Sequence, residues 1–299
     1  MTTAIVDIET DGFDATKIHC IVASSVSGKQ KVWIENECSQ FADWSKQIDQ
    51  FIMHNGVSFD APVLNRLTGS NIKLSQVRDT LIESQLYNPI RDGGHSLQSW
   101  GERLGYSKGD YNDFTTFNKE MLEYCQRDTE LTRKVAGVLS GEGSTFSDRS
   151  YNLERKVRAI VDHQEKNGFA FDIQKATVFL SQLEDEQHKL EEKAQEMFEP
   201  TEVKLKTKTK YIPFNIASRK QIAERLMERG WKPTSKTEKG NVIVSEEILS
   251  KLKMPEAQMF SRYFLLQKRT GLLKAWIEAC QEDDRVRGRV MTLRTVTGR

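Results

Sequence analysis

The chain has 299 residues, of which 37% are hydrophobic and 29% are charged, and its mean hydropathy is −0.58. No apolar run approaches the roughly 18 residues of a membrane-spanning helix, and the recurrent Ile, Leu, Phe and Trp exclude a disordered chain. The net charge of +1 combines −5 over residues 1–140 with +6 over residues 141–299, and residues 200–299 alone carry +11.

The first 140 residues alternate in hydrophobic period and predict an α/β domain. Strands are predicted from short apolar runs, at residues 3–8, 17–26, 31–34 and 51–54. Helices are predicted from apolar residues at helical spacing, over residues 39–52, 60–67, 80–87, 96–104 and 117–139. The Gly28-Lys29 turn joins the second and third strands, so we expect the sheet to begin as an antiparallel meander.

The Gly- and Ser-rich stretch 141–149 predicts a linker, and the chain after it is predicted to be mostly helical. Helices are expected over residues 151–167, 173–198, 217–229 and 256–280, the first of them ending at Gly168. Between the long helices, residues 203–210 alternate with a period of two. This pattern predicts an extended segment with four lysines on one face: Lys204, Lys206, Lys208 and Lys210. The coarse prediction is an antiparallel helix pair with a basic tip.

Three local patterns carry carboxylates that can do chemistry. Asp7 and Glu9 are two apart on a strand and share a face, and Tyr124 and Asp128 are four apart on a helix. Asp60 opens a helix after Asn55-Gly-Val-Ser-Phe59. Clustered carboxylates repel, and a Mg²⁺ or Mn²⁺ ion relieves that repulsion. Each pattern alone also fits ordinary exposed acids, whereas the three in this order indicate a metal site.

In this combination the acids resemble those of the 3′→5′ proofreading exonucleases of the DEDD type, tyrosine subclass. Further segments resemble the family A DNA polymerases of T-seven-like short-tailed phages, both in the exonuclease domain and in the following thumb. They are HNG at 54–56, DTL at 79–81, HSLQSWGERLG at 95–105, QEKNGFAFD at 164–172, FNIASR at 214–219 and YFLLQKR at 263–269. The resemblance covers the whole chain.

The resemblance implies a fold of the α/β class, a ribonuclease H-like mixed sheet with flanking helices, followed by a mostly α-helical thumb-like domain. It implies an exonuclease domain over residues 1–140, a linker over 141–149 and a DNA-binding thumb over 150–290. Residues 291–299 resemble the start of the polymerase palm motif, and no palm or fingers sequence follows. We therefore expect either one half of a split polymerase or an excised exonuclease–thumb piece, with a separate palm–fingers polypeptide as partner.

By the same resemblance, Asp7, Glu9, Asp60 and Asp128 bind two divalent cations about 3.5–4 Å apart. Asp7 is expected to bridge both ions, Glu9 and Asp128 to complete the first site, and Asp60 to hold the second largely through water. Tyr124 is expected to orient the attacking water.

Asn55 and Phe59 are expected to shape the place where the 3′-terminal base binds. His54 fits either a substrate contact or a structural hydrogen bond, and Asp79 fits a helix cap better than a metal ligand. Leu97 and Trp100 are expected to be core residues.

Several partners and conditions follow from these expectations. The substrate is DNA, as a single-stranded 3′ end and as primer–template, and the lysine face fits either phosphate contacts or a solvated tip. The short stretch 199–214 leaves no room for the large insertion by which phage relatives bind thioredoxin, so no thioredoxin is expected.

The four cysteines lie far apart, which predicts reduced thiols in a cytoplasmic setting, that of a phage-infected bacterium. No membrane partner is expected.

The function predicted from sequence is a metal-dependent 3′→5′ exonuclease that proofreads in DNA replication. The alternatives are a free-standing exonuclease and a non-catalytic DNA-clamp subunit in which the exonuclease fold is only a scaffold. The intact set of acids favours an enzyme.

Overall fold

The structure is a computed structural model that describes residues 2–107, 109–204, 209–238 and 240–295, with only the backbone at 203 and 204. The chain forms two compact units. The first contains the described residues of Met1–Lys166 and Arg289–Arg299, and the second contains those of Asn167–Gly288. None of the helices in these described ranges is both long and apolar enough to cross a membrane.

The first unit is built on a five-stranded mixed sheet. Its strands are β1 (Thr3–Thr10), β2 (Ile18–Ser25), β3 (Gln30–Ile34), β4 (Gln50–Met53) and β5 (Val77–Asp79). Their order is β3-β2-β1-β4-β5, with β1, β2 and β3 antiparallel and β1, β4 and β5 parallel. The meander predicted from the Gly28 turn is confirmed. The central strand β1 buries both of its faces, which is why its apolar residues run consecutively through Ala4, Ile5 and Val6.

Six helices complete the first unit. They are α1 (Phe41–Ser45), α2 (Asp60–Thr68), α3 (Thr80–Tyr87), α4 (Leu97–Leu104), α5 (Lys119–Glu142) and α6 (Asp148–Asn167). Side-chain caps start three of them, from Asp79, Ser96 and Asn118. Helix α5 packs against β1 and β2 and so faces the middle of the sheet. Leu97 and Trp100 of α4 are buried as predicted.

The helix predicted over residues 39–52 is much shorter in the structure. A 3₁₀ turn at Glu35–Gln40 leads into α1, which ends at Ser45. The apolar residues that extended the helical pattern, Ile48 and Phe51, are buried in the core of the sheet instead. Phe51 belongs to β4. The apolar residues of a short helix and of the strand that follows it therefore gave the spacing of one long helix.

The predicted linker at 141–149 does not separate the two units. Helix α5 continues to Glu142, a 3₁₀ turn follows at Gly143–Thr145, and α6 begins at Asp148. Arg155 of α6 donates to the Ser75 and Val77 carbonyl oxygens at 3.2 and 3.0 Å. These contacts attach α6 to the strand β5, so the division between units falls between Lys166 and Asn167.

The second unit is mostly helical. Its helices are α7 (Ile173–Met197), α8 (Arg219–Glu228), α9 (Glu246–Lys251) and α10 (Pro255–Ala279), and its short strands are β6 (Phe169–Ala170), β7 (Thr201–Lys204), β8 (Thr209–Ile212) and β9 (Arg285–Val286). Lys274 pairs with Glu184 at 2.7 Å, and the Tyr263 hydroxyl donates to Glu191 at 2.9 Å. The contacts join the end of α10 to the first half of α7 and the start of α10 to the second half of α7. The two helices are therefore antiparallel, as predicted. Their shared core contains Phe260.

The single extended segment predicted over residues 203–210 is wrong. Strands β7 and β8 form an antiparallel hairpin in which position 203 pairs with Lys210 and position 204 pairs with Thr209. Paired positions share a face and neighbouring pairs alternate, so positions 204 and 210 lie on opposite faces. The Lys-x-Lys alternation continues through the reversal without a Gly, Pro, Asn or Asp to mark it. Lys206 and Lys208 lie outside the described residues.

Candidate active site

The second half of β1 brings two acids to the face of the sheet that α5 covers. Asp7 and Glu9 are two positions apart, so their side chains share that face. Cys125 of α5 donates to the Asp7 carboxylate (Oδ2) and to the Asp7 carbonyl oxygen, both at 3.5 Å. One oxygen of each carboxylate and the Cys125 sulfur lie within 4.8 Å of one another. The strand and the helix therefore converge on one point.

Asp60 reaches the same strand from another direction. The last pair between β1 and β4 is Ile5 with Ile52, and the Ile8 backbone beyond it is close enough to the Asp60 carboxyl to lower its pKa. Ile8 lies between Asp7 and Glu9, so Asp60 belongs to their site. Asp60 is only 4% exposed. Its burial raises the pKa of its carboxyl to about 7, against the effect of neighbouring backbone groups that include Ile8.

Helix α5 supplies the remaining two predicted residues. Asp128 lies one turn beyond Cys125 on the same helix and is 4% exposed. Tyr124, next to Cys125, is half-buried, and its ring lies 5.6 Å from that of Tyr111 and 6.4 Å from that of Phe114. Asn118 starts the helix by accepting from the Met121 amide at 2.8 Å, which fixes where these residues fall along the strand.

The donor set fits hard divalent cations. Glu9, Asp60 and Asp128 are each at most 8% exposed, so their charges are poorly solvated. Carboxylate oxygens are the ligands that Mg²⁺ and Mn²⁺ prefer, and such ions remove the repulsion among neighbouring acids. The raised pKa of Asp60 is the cost of keeping one of these acids buried when no cation compensates its charge.

The acid Asp79 has a structural role, as the capping interpretation predicted. Its carboxylate accepts from the amides of Asn55 and Val57, both at 3.0 Å, and from the Leu81 amide at 2.9 Å. It thereby holds the turn before α2 and starts α3. His54 likewise makes a structural hydrogen bond, between Nδ1 and the Thr80 hydroxyl at 2.9 Å.

Asn55 and Phe59 lie in that turn, next to Asp60. Asn55 has a φ of 67°, in the left-handed region that Asn tolerates better than most residues, and this lets the chain turn from β4 into α2. Phe59 is half-buried and packs against the core of the first unit. The structure thus brings both near the acids. Of the four lysines predicted to bind DNA, positions 204 and 210 belong to the second unit, and Lys206 and Lys208 lie outside the described residues.

The sequence analysis missed two residues: Cys125, which contacts Asp7, and Phe13, which follows the strand of the acids in sequence. Phe13 is 96% exposed in the loop that follows β1. Asp11 fixes this loop by accepting from the amides of Thr16 and Lys17 at 2.8 and 3.0 Å, and the Thr16 hydroxyl lowers the pKa of Asp11 to about 2. The sequence did carry a signal for Phe13, because an aromatic residue between acids in the segment Asp11-Gly-Phe-Asp14 is expected to be exposed.

Comparison with known proteins gives relatives among phage polymerases. No protein-family model matches the chain. It is 23% identical to a DNA-directed DNA polymerase of Escherichia phage T7 and also 23% identical to one of Enterobacteria phage T3, in each case over 98% of this chain. The chain spans 60% of the length of each relative. The alignments run over 427 and 425 residues, so the relatives contain segments that this chain lacks.

A solved structure with a similar fold is the POL domain of Pol1 from M. smegmatis, in complex with DNA primer-template and dNTP. The TM-score is 0.70 and the identity 16%, over 99% of this chain and 50% of that one. At this identity the likeness concerns the fold.

Proposed function

Since the chain is a relative of the T7-like family A phage DNA polymerases over nearly its whole length, we propose that its first unit is a 3′→5′ DNA exonuclease. In this role it removes nucleotides from the 3′ end of DNA and so corrects errors during phage DNA replication. The single observation that supports this most strongly is the convergence of Asp7, Glu9 and Asp60 on one stretch of β1, opposite the helix that carries Asp128.

The acids divide the work of holding two divalent cations, Mg²⁺ or Mn²⁺. Asp7 would be shared by both ions, Glu9 and Asp128 would complete the first site, and Asp60 would hold the second. When bound, the ions lower the pKa of the attacking water and stabilise the leaving 3′ oxygen. Tyr124 orients that water through its hydroxyl group. Asn55 and Phe59 contact the terminal nucleotide.

The second unit is proposed to act as a thumb-like DNA-binding part. Its residues 200–288 contain 19 lysines and arginines against 11 acids, a net charge of +8, which favours contact with phosphates. Lys204, Lys206, Lys208 and Lys210 are the proposed contact to primer–template DNA. Polymerisation is the activity in the names of the phage relatives. The acids of the first unit are proposed for hydrolysis of DNA, so DNA synthesis in the cytoplasm of the infected bacterium is assigned to a palm–fingers part that works with this chain.

Direct hydrolysis of labelled DNA tests the proposal. Single-stranded DNA labelled at the 5′ end should shorten stepwise with Mg²⁺, the same strand labelled at the 3′ end should release labelled mononucleotide at once, and a chelator should stop both reactions. Asp7→Ala should abolish cleavage while DNA binding remains. Tyr124→Phe should keep metal binding and lower kcat by roughly 10²-fold, because it removes one positioning hydroxyl.

The matched control is Asp43→Asn, which removes an exposed acid of the same unit that pairs with Lys46. This variant should cleave like the wild type. Full activity in Asp7→Ala at saturating Mg²⁺, or cleavage that begins at the 5′ end, would contradict the assignment. Tight DNA binding without any cleavage by the wild type would favour the non-catalytic clamp subunit.

A further inference from the structure

The candidate active site contains two sulfur atoms for which DNA cleavage has no use. Cys125 is fully buried, and its sulfur lies within 4.8 Å of one oxygen each of Asp7 and Glu9. Cys20 is also fully buried and pairs with Glu9 in the register of β1 and β2. Paired residues of antiparallel strands project from the same face of a sheet, so Cys20 lies on the face that carries the two acids.

The two cysteines also lie together. Cys20 and Cys125 belong to one buried cluster with Val22 and Met121, between β2 and α5. The structure therefore places one sulfur and two carboxylate donors within 4.8 Å of one another, and a second buried sulfur, that of Cys20, in the cluster that contains Cys125.

We propose that Cys125 and Cys20, together with Asp7 and Glu9, form a binding site for a thiophilic divalent cation of the Zn²⁺ class. Zn²⁺ binds four ligands drawn from thiolate, imidazole and carboxylate, whereas Mg²⁺ requires oxygen ligands in octahedral geometry. Both thiol protons pass to the solvent as the sulfur–metal bonds form, and no electron is transferred.

This site shares Asp7 and Glu9 with the proposed catalytic cations. A thiophilic ion and a hard ion therefore compete, and Zn²⁺ inhibits cleavage by occupying the shared acids. The binding itself does not depend on the proposed exonuclease activity; only the inhibition rests on it.

Cd²⁺ is a suitable probe, because a cadmium–thiolate bond has its own ultraviolet absorption band. Titration of the full chain, in a reductant that contains no thiol, should give a saturable band with one equivalent of Cd²⁺. Cys125→Ser should lose the band and weaken Zn²⁺ binding, measured against a coloured chelator, by at least about tenfold. The matched control is Cys280→Ser, which removes the more accessible thiol and should leave both signals unchanged.

Cys20→Ser and Asp7→Asn provide independent tests if Cys125→Ser fails to fold by circular dichroism, and each should weaken Zn²⁺ binding. A band that persists in Cys125→Ser, that disappears in Cys280→Ser, or that is absent from the wild type would overturn the proposal. Mg²⁺-dependent cleavage by the wild type is measured in a separate assay. A wild type that binds Cd²⁺ but does not cleave DNA would count against the proposed function alone.

Discussion

Asp60 shows how a single buried acid links the stability of the first unit to its proposed chemistry. The carboxyl is 4% exposed, and although the Ile8 backbone lowers its pKa, burial raises that pKa from 3.8 to about 7. Burying an ionised acid without a cation costs free energy of folding, because the protein interior solvates the charge poorly. Replacing such an acid by its amide should relieve that cost.

For the metal-free protein we predict a specific pH dependence. Because the folded pKa of Asp60 lies above the unfolded value, the stability from protonation is complete below about pH 3.8 and is lost as the pH rises through about 7. Asp60→Asn removes this dependence. In the presence of chelator, its advantage over the wild type in unfolding free energy should grow by about 2 kcal/mol between pH 5 and pH 8.

Urea unfolding followed by circular dichroism at several pH values measures this difference. Asp43→Asn, which changes an exposed acid, should run parallel to the wild type. Parallel curves for Asp60→Asn would contradict the assigned burial.

Phe13 provides a second prediction at the scale of a residue. An aromatic ring that is 96% exposed, in the loop that follows the strand of Asp7 and Glu9, offers a surface on which a DNA base can stack. Phe13→Ala should raise the KM for single-stranded DNA by about tenfold, because one base can no longer stack on the ring. Phe13→Trp is the control and should keep the wild-type KM. Equal KM values for the alanine variant and the wild type would show that the ring does not contact DNA.

At the scale of the element, two features place the site. The turn between β4 and α2 carries Asp60 to the Ile8 backbone, and α5 carries Cys125 to Asp7. Gly56 permits the first, because a Cβ atom there would lie 2.2 Å from the Met53 Cβ. The N-cap Asn118 fixes where α5 begins, and so fixes where Cys125 lies along β1.

The β7–β8 hairpin gives a prediction for DNA binding. Replacing Lys204, Lys206, Lys208 and Lys210 by Ala should weaken binding to primer–template DNA and flatten its salt dependence, by about 0.9 in the logarithmic slope for each phosphate that is no longer neutralised. Cleavage of single-stranded DNA at high enzyme concentration should persist, because the acids are in the other unit. Fluorescence anisotropy at several salt concentrations measures the slope. An unchanged slope would indicate that the lysines are only solvated.

At the scale of the whole molecule, the two units have separate cores. The core of the first surrounds the sheet, and that of the second surrounds Phe198, Phe214 and Phe260. A ligand of one unit should therefore protect that unit preferentially.

Hydrogen exchange followed by mass spectrometry tests this expectation. Mg²⁺ should slow amide exchange in β1, the start of α2 and the middle of α5, where the proposed ligands are located. It should leave α7 and α10 unchanged, and Asp7→Asn should remove the effect. Protection of α7 or α10 to the same degree would place the cations elsewhere.

The sequence by itself determined the features that depend on local order. Alternation and helical spacing identified most strands and helices, and Asp79, interpreted as a helix cap, marked where α3 begins. The acids could be named in advance because Asp7 with Glu9, and Tyr124 with Asp128, are neighbours within one element.

Only the tertiary structure decided which separate segments meet. Cys125 contacts Asp7 across 118 positions of sequence, and Arg155 of α6 attaches to Val77 across 78, and no local period encodes such contacts. The same limit explains the errors: residues 39–52 combined the patterns of a helix and a strand, and residues 203–210 hid a reversal within a uniform alternation. Local propensity sets what a segment can form, and burial against distant segments selects the outcome.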